Sequence, residues 1–246
     1  MKHRLILIGM MGMGTVAFAQ SNENSIRVDQ AIQDLTDLQA GNGNSRAVGS
    51  FVNFHAGKEN TRGSRYLFPD WVDGAVTTQN GVVISRDSLM YNYDKITHDL
   101  YLTDQKTVVQ VDASSIKTFT LRSEGKSLVF VKVGALQPNL FYQQLVDPGT
   151  AGYGLYKLVR TSFEKANYHT DGMVESGHNY DEYTDENDYY IGLPGGKEFK
   201  KVDLKKKSIR EALAAAKPKV DAFFSSHRGD DLNELFLVQL IASLNK

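Results

Sequence analysis

The sequence predicts a mainly β fold with helices at its C-terminus, an α+β protein whose antiparallel meander forms a curved sheet or a barrel-like sandwich. From residue 68 to residue 133, short apolar or alternating runs recur at intervals of eight to ten residues, and each run ends in a polar turn. The connections between these runs are too short for crossover helices, which favours antiparallel pairing. Beyond residue 208 the apolar spacing becomes helical.

The N-terminus has the three parts of a secretory signal peptide. Lys2, His3 and Arg4 form a positive region, Leu5–Phe18 is apolar, and Ala17–Ala19 matches the small-x-small cleavage pattern. A membrane anchor is the alternative, but the apolar run is shorter than the roughly 20 residues that a spanning helix needs. We therefore expect residues 1–19 to be removed during export, and we expect no membrane span after that cleavage.

The mature chain is expected to begin with a polar arm at residues 20–47 and to continue as an antiparallel β domain at residues 48–207. Gly41–Ser45 separates the two, because its glycines and short polar side chains favour a flexible break. The predicted strands are Val48–Phe54, Trp71–Thr78, Gly81–Arg86, Ser88–Tyr93, Asp99–Thr103, Thr107–Asp112, Ile116–Arg122, Ser127–Gly134, Asn139–Val146, Tyr153–Thr161, Tyr189–Leu193 and Glu198–Leu204.

Four turn sequences join the predicted hairpins. Gln79–Gly81 contains an Asn-Gly pair, which supplies the positive φ angles that a tight hairpin needs. Ser123–Lys126 is typical of a hairpin turn, and Asp147–Thr150 has the Pro-Gly corner of a type II turn. Pro194–Gly196 joins the last two strands.

Residues 208–246 are predicted to form helices that pack on the sheet. Ser208–Glu211 matches a capping box, in which the serine oxygen and the glutamate carboxylate accept hydrogen bonds from the first helical amides. Pro218 is expected to end the first helix and to lie in the first turn of the next, and Asp231–Glu234 is a second capping signature. The apolar stripe of the last helix consists of Leu232, Leu235, Phe236, Leu240, Ile241 and Leu244. Packing on the sheet is favoured over an exposed partner-binding helix, because short helices are marginal alone.

Composition excludes several classes of function. The chain has no cysteine, which excludes thiol catalysis, cysteine-ligated zinc and iron–sulfur chemistry. Without the signal peptide the chain carries 26 basic and 29 acidic residues, and this slightly acidic balance gives no attraction to nucleic acid. Export without cysteine indicates the periplasm or the outer, extracellular surface of a bacterium. No cofactor is expected.

The acidic segment at residues 171–188 interrupts the strand pattern and is predicted to be a loop. It holds seven acidic residues and no lysine or arginine. A tyrosine ring can bury surface while its hydroxyl stays in water, so tyrosines among carboxylates are typical of recognition surfaces. The predicted ligand or partner contacts are Tyr180, Tyr183, Tyr189, Asp181 and Asp185. The alternatives are a solvated acidic loop and a calcium site, although the segment lacks the Asp-x-Asp-x-Asp-Gly order.

Metal-binding and catalytic patterns are sparse. The candidate metal ligands are His169, His178 and Asp171, but no two histidines have the spacing that places both on one helical face. The aspartates between residues 70 and 104 lie in or beside predicted turns, where aspartate is common for conformational reasons. No Gly-x-Ser-x-Gly elbow indicates a serine hydrolase.

Two parts of the chain carry a resemblance to known proteins. They comprise Trp71, Gly74, Gly81, Leu89–Tyr93, Asp99 and Leu100 in the first part, and Tyr189–Ile191, Val202–Lys207 and Leu244-Asn245 in the second. Over most of residues 65–246 the chain resembles a broad class of secreted β-rich proteins of Gram-negative bacteria. The shared motifs are structural and imply no activity. The layout is also similar to that of periplasmic lipoprotein carriers, whose curved sheet covers an apolar cavity, but none of their distinctive motifs is present.

The function expected from the sequence is non-enzymatic binding of a protein partner in the periplasm or at the cell surface. A carrier is the first alternative, and it would hold a lipid or another small apolar ligand in a cavity of the curved sheet. A hydrolase is the second alternative.

Overall fold

The structure, a computed structural model, describes residues 60–105 and 108–246. The predicted signal peptide, the polar arm and the predicted strand Val48–Phe54 lie outside the described residues. Within these residues the protein is mainly β, and its three helices follow the last strand. The predicted fold class is confirmed.

The described residues form sixteen strands. They are β1 (Thr61–Arg62), β2 (Asp73–Thr78), β3 (Val83–Ile84), β4 (Met90–Tyr93), β5 (Leu100–Thr103), β6 (Val108–Gln110), β7 (Ile116–Ser123), β8 (Lys126–Lys132), β9 (Phe141–Val146), β10 (Gly154–Leu158), β11 (Thr161–Glu164), β12 (His169–Asp171), β13 (Val174–Ser176), β14 (Asp181–Asp185), β15 (Asp188–Gly192) and β16 (Phe199–Val202). The nine strands from β2 to β10 correspond one to one with the nine predicted between Trp71 and Thr161.

An eight-stranded antiparallel sheet forms the centre of the fold. Its strand order is β16-β15-β10-β9-β8-β7-β2-β3. β4, β5 and β6 do not join this sheet, and they pair with one another as a three-stranded antiparallel sheet. The predicted meander is therefore divided between two sheets, and no sheet of the described residues closes on itself.

Two of the predicted turns, at residues 79–81 and 123–126, have the positive φ angles of hairpin turns. Gly81 has a φ of 81° between β2 and β3. Between β7 and β8, Glu124 and Gly125 have φ angles of 51° and 73°. Two successive positive φ angles are typical of a type I′ turn, whose twist matches that of the flanking strands.

The first core lies between the eight-stranded sheet and the three-stranded sheet of β4, β5 and β6. Its centre is filled by the buried rings of Tyr93, Phe119, Phe130 and Phe141. The Phe119 and Phe130 rings stack with centroids 4.6 Å apart, and Tyr93 lies 5.2 Å from Phe130. Phe141 meets Phe119 edge-on at 4.9 Å. These are favourable geometries for aromatic pairs, and they leave the middle of this core packed.

Three helices form a second core on the same face of the eight-stranded sheet. They are α1 (Lys206–Ala212), α2 (Lys217–Ser226) and α3 (Glu234–Leu244). Cross-strand pairing places one row of side chains on one face of the sheet: Phe119, Phe130, Gln143, Lys157, Tyr189 and Val202. The first two belong to the core between the sheets, and the last two pack under the helices. The three-stranded sheet and the helices thus cover neighbouring parts of one face.

Helix α3 docks on the sheet through most of the predicted apolar stripe. The buried members are Phe236, Leu240, Ile241 and Leu244, and Leu232 is partly buried beside them. The prediction is wrong for Leu235, which is exposed, and it missed Leu237, which is fully buried. Nearly every residue of α3 is apolar, so the spacing alone did not single out one face.

The start of α1 differs from the predicted capping box. Ser208 lies inside the helix, which begins at Lys206 and has no side-chain cap. The Ser208 hydroxyl instead accepts a hydrogen bond from the Asp203 amide at 3.0 Å. The prediction is wrong because the hydroxyl is used by the chain that leaves β16, not by the helix.

The start of α3 does carry a side-chain cap. Asn233 Oδ1 accepts a hydrogen bond from the Phe236 amide at 3.0 Å, so the cap lies within the predicted Asp231–Glu234 signature. Pro218 lies in the first turn of α2, as predicted. These two local signals fix where the last two helices begin.

A buried polar turn at residues 94–98 joins β4 to β5. Asp94 Oδ1 accepts hydrogen bonds from the amides of Ile96 at 2.8 Å and Thr97 at 3.2 Å. Its Oδ2 accepts one from Arg65 Nε at 2.5 Å. The turn aspartate therefore also holds the segment that precedes β2.

We expect the buried His98 imidazole to make the free energy of unfolding depend on pH. As the pH falls through 6.5, the ordinary pKa of histidine, the free energy of unfolding should decrease. Burial lowers the pKa of His98 from its usual 6.5, against the opposing effect of Asp94 and Asp99. Between the two pKa values the unfolded chain binds a proton that the folded chain does not, so acid favours unfolding. Urea unfolding at a series of pH values measures the slope.

The control for this pH dependence is His98→Asn. His98 has a φ of 63°, a conformation that asparagine tolerates, and its Nδ1 lies 3.3 Å from the Tyr93 hydroxyl. Asparagine keeps a polar group there and does not titrate. A variant whose stability changes with pH as steeply as that of the wild type would contradict this account of His98.

Candidate functional site

The acidic segment forms strands and not the predicted loop. Its strand β14 pairs antiparallel with β11 and parallel with β1, in a three-stranded mixed sheet. β12 and β13 form a separate two-stranded hairpin. The loop prediction is wrong because the backbone of this segment pairs with β1 and β11, which its own composition does not reveal.

Tyr180 is held by a cation and an imidazole. The Arg62 guanidinium lies 3.7 Å from the centre of the Tyr180 ring, and its Nη1 donates to the Tyr180 hydroxyl at 2.7 Å. The His178 ring stacks on Tyr180 at 4.5 Å, and His178 Nδ1 donates to the Tyr180 carbonyl at 2.7 Å. The predicted contact tyrosine therefore has both its ring and its hydroxyl engaged within the protein.

The neighbouring predicted contacts also have partners inside the fold. Tyr183 packs on Phe163 of β11, with ring centroids 4.8 Å apart. Asp181 Oδ1 accepts a hydrogen bond from the Ala166 amide at 3.0 Å. Asp185 forms an ion pair at 2.5 Å with Lys95, whose side chain is almost entirely buried. Tyr183 thus packs within the mixed sheet, and Asp185 connects that sheet to the Lys95 side chain.

Tyr189 lies apart from the other predicted contacts, in the core beneath the helices. Its hydroxyl donates to Glu234 at 2.9 Å, and Lys157 donates to the same carboxylate oxygen at 2.8 Å. Burial raises the pKa of Tyr189, and the hydrogen bond to Glu234 raises it further. The phenol is therefore a protonated donor that fixes the first turn of α3.

The candidate metal ligands do not converge. The part of the chain that the structure describes contains no group of three or more histidine, aspartate or glutamate side chains that could hold a metal ion. His169 Nδ1 donates to the Asn167 carbonyl at 3.0 Å, and His178 is engaged with Tyr180. Asp171 is the last residue of β12 in the exposed hairpin.

One contact has the form of a nucleophile and its base. His169 Nε2 lies 2.9 Å from Ser176 Oγ, across the β12–β13 hairpin. Since His169 Nδ1 donates to a carbonyl, Nε2 is left to accept the serine proton. Both side chains are exposed, however, and a catalytic dyad needs a water-excluding cleft and oxyanion donors beside it. The contact is better explained as a cross-strand pair that stabilises the hairpin.

The most exposed apolar surface lies on this same hairpin. Every residue from 162 to 177 is exposed. Met173 follows the turn glycine and exposes 98% of its surface, and Val174 exposes 66%. Tyr168, at the base of the hairpin, exposes half of its surface. Sequence reasoning missed these three residues, although the apolar Met173-Val174 pair between the acidic Asp171 and Glu175 was a visible signal.

In the described part of the chain, side chains fill the core between the eight-stranded sheet and the β4–β5–β6 sheet. Aromatic side chains pack the core between the two antiparallel sheets, as described above. An open cleft of about 450 Å³ lies instead at the end of the eight-stranded sheet, beside the β7–β8 turn. Its lining mixes Phe68, Trp71 and Leu128 with Asp70, Glu124 and Lys126. A mixed, open cleft of this kind does not favour the carrier, which needs a continuous apolar cavity.

Comparison with known proteins found no match to the chain among protein-family models, curated proteins or solved structures. Within the described ranges, no helix has the length and apolar character that crossing a membrane requires. The surface of the molecule is therefore the basis for a functional proposal.

Proposed function

We propose that this chain is an exported, non-enzymatic binding protein of the periplasm or cell surface, which contacts a protein partner through the β12–β13 hairpin. The observation that carries the proposal is the exposure of Tyr168, Met173 and Val174 on a hairpin that extends from the mixed sheet. A partner that covers these side chains would remove their apolar surface from water.

The structure of the hairpin supports this role. Three cross-strand pairs connect β12 and β13, and the His169–Ser176 contact closes the pair farthest from the turn. Methionine is flexible and polarisable, which makes it common on surfaces that adapt to a partner. The hairpin is therefore an ordered scaffold that presents an adaptable apolar tip.

The charge around the hairpin restricts the partner. From residue 163 to residue 182, on the hairpin and at its base, the chain has five acidic residues and a single basic residue, Lys165. Such a field attracts a basic surface and slows the approach of an acidic one. We therefore expect the partner to present a small apolar patch bordered by lysine or arginine.

A photo-activatable cross-linker placed at Met173 is expected to capture one defined partner in the cells that produce the protein. The matched control carries the same cross-linker at Leu235, which exposes 63% of its surface on α3. Both positions are apolar and exposed, so only a partner seated on the hairpin distinguishes them. The products are compared by mass spectrometry.

The double substitution Met173→Ser with Val174→Ser is expected to abolish the cross-linked species formed from a probe at Tyr168. Both side chains are exposed, so the free energy of unfolding should change by less than about 0.5 kcal/mol. Tyr180 and Tyr183 are poor positions for this test, because their rings pack within the mixed sheet. Identical products from positions 173 and 235 would exclude the hairpin as the contact surface.

A further inference from the structure

A small polar pocket lies at the end of the eight-stranded sheet, where β2 begins and β3 and β7 end. It has a volume of about 250 Å³ and is lined by Asp73, Gly74, Ser85, Arg86, Asp87 and Arg122. The pocket thus brings two guanidinium groups, two carboxylates and one hydroxyl around a single small space. None of its residues belongs to the hairpin discussed above.

The four charged side chains of the pocket are not paired with one another. Among residues 60–105 and 108–246, no carboxylate lies within 4.0 Å of the guanidinium of Arg86 or Arg122. Arg122 Nη2 makes only long contacts, 3.3 Å to the Gly74 carbonyl and 3.4 Å to Ser85 Oγ. Most of the guanidinium donors therefore remain available to a bound molecule.

A buried phenol lies under the pocket. Tyr91 exposes only 1% of its surface, and its hydroxyl has no hydrogen-bond partner. A Cβ on Gly74 would lie 2.7 Å from Tyr91 Cδ2, so the ring packs directly against the backbone that lines the pocket. A buried hydroxyl without a partner is unfavourable, and such groups in folded proteins call for an explanation.

The two arginines of the pocket affect the pKa of the Tyr91 hydroxyl. Burial raises the pKa of Tyr91 to about 12, while the charges of Arg86 and Arg122 oppose that rise. The hydroxyl therefore stays protonated at neutral pH and lies within the field of both guanidinium groups.

We propose that this pocket binds a small zwitterion, a molecule that carries a carboxylate and an ammonium group a few bonds apart, as a free amino acid does. Arg86 and Arg122 hold the carboxylate, because a guanidinium matches its two oxygens. Asp73 and Asp87 hold the ammonium group. A simple anion meets the repulsion of both aspartates, and a simple cation meets that of both arginines. The volume is just below the roughly 300 Å³ at which drug-sized pockets begin, which suits a ligand of few atoms.

Glycine, acetate and methylamine separate the possible ligand chemistries. In an NMR titration of the isotope-labelled full chain, glycine is expected to shift the amide signals of Gly74 and Ser85 saturably. Its dissociation constant should be at least about tenfold lower than those of acetate and methylamine, which each carry only one of the two charges. No saturable shift with glycine up to about 50 mM would overturn the proposal, as would equal binding of acetate, which indicates a simple anion site.

Two substitutions test the residues. Arg122→Gln is expected to raise the glycine dissociation constant about tenfold, whereas Arg228→Gln, at an exposed arginine outside the pocket, leaves it unchanged. Tyr91→Phe removes only the unpartnered hydroxyl, which is buried beneath the pocket, so the variant should be at least as thermostable as the wild type and bind glycine as tightly. An unchanged dissociation constant in Arg122→Gln would overturn the proposal.

Discussion

Leu240→Ala on α3 is expected to lower the free energy of unfolding by about 3 kcal/mol, whereas Leu235→Ala on the same helix changes it by less than about 0.5 kcal/mol. Leu240 is fully buried against the sheet and Leu235 is 63% exposed. Truncating a buried leucine removes its transfer free energy and leaves a cavity, but truncating an exposed leucine does neither. Urea unfolding followed by circular dichroism measures both values.

The comparison is informative because the two substitutions are chemically identical and lie five positions apart on one helix. Both alanines slightly favour the helical state, so helix propensity cannot account for a difference between the variants. The difference between the two losses in free energy of unfolding therefore shows which face of α3 packs on the core that contains Leu155 and Ile191 of the sheet. Equal losses at the two positions would show that α3 docks with another face.

The strands could be predicted because neighbouring residues in the sequence mark both the strands and the turns between them. Alternation of apolar residues marked β4 and β5, and the Asn-Gly and Glu-Gly pairs marked two hairpin turns. What the sequence did not show is that β4, β5 and β6 leave the central sheet. Both faces of β5 are covered, since Tyr101 and Thr103 are buried as well as Leu100 and Leu102. Alternation detects one buried face and does not identify which layer covers it.

The candidate contact surface was only partly predictable, because composition does not reveal long-range partners. Tyr180 was chosen for its acidic neighbours, yet its partner Arg62 lies 118 residues away in the chain. The exposed tip at Met173 was missed, because the strands that form its hairpin are short and polar and lack the apolar alternation that marks a half-buried strand. The local sequence therefore drew attention to the acidic segment, but it did not show that Tyr180 is engaged by Arg62 within the fold.

Asp94→Ala is expected to lower the free energy of unfolding by about 3 kcal/mol. The Asp94 side chain is completely buried and accepts three hydrogen bonds, from the amides of Ile96 and Thr97 and from Arg65 Nε. Alanine leaves the two amides without these acceptors, and each unpaired buried donor costs about 1–3 kcal/mol. Arg65 is 39% exposed and keeps part of its hydration, so the broken ion pair adds less than in a fully buried pair.

Asp147→Ala provides the matched control for this prediction. Asp147 is also a turn aspartate, and its Oδ1 accepts a hydrogen bond from the Gly149 amide at 2.9 Å, but its side chain is exposed. Water can replace that acceptor, so the loss should be about 0.5–1 kcal/mol. Asp94→Asn, which keeps an oxygen for the amides but lacks the charge, should lie between the two. Similar losses for Asp94→Ala and Asp147→Ala, measured by urea unfolding, would count against a special role for the buried turn.

The Asp94→Ala substitution should also destabilise the mixed sheet, because this turn connects the β4–β5–β6 sheet to β14. The Lys95 amide donates to the Arg65 carbonyl at 3.0 Å, and the Lys95 side chain pairs with Asp185 of β14. Releasing Arg65 therefore loosens the chain that leads from β1 to β2 as well as the turn itself. In Asp94→Ala, amide hydrogen exchange should accelerate more in β1 and β14 than in α3, whose core on the far part of the sheet does not involve this turn. The Lys95–Asp185 ion pair thus connects the mixed sheet that supports the exposed hairpin to the β4–β5 turn.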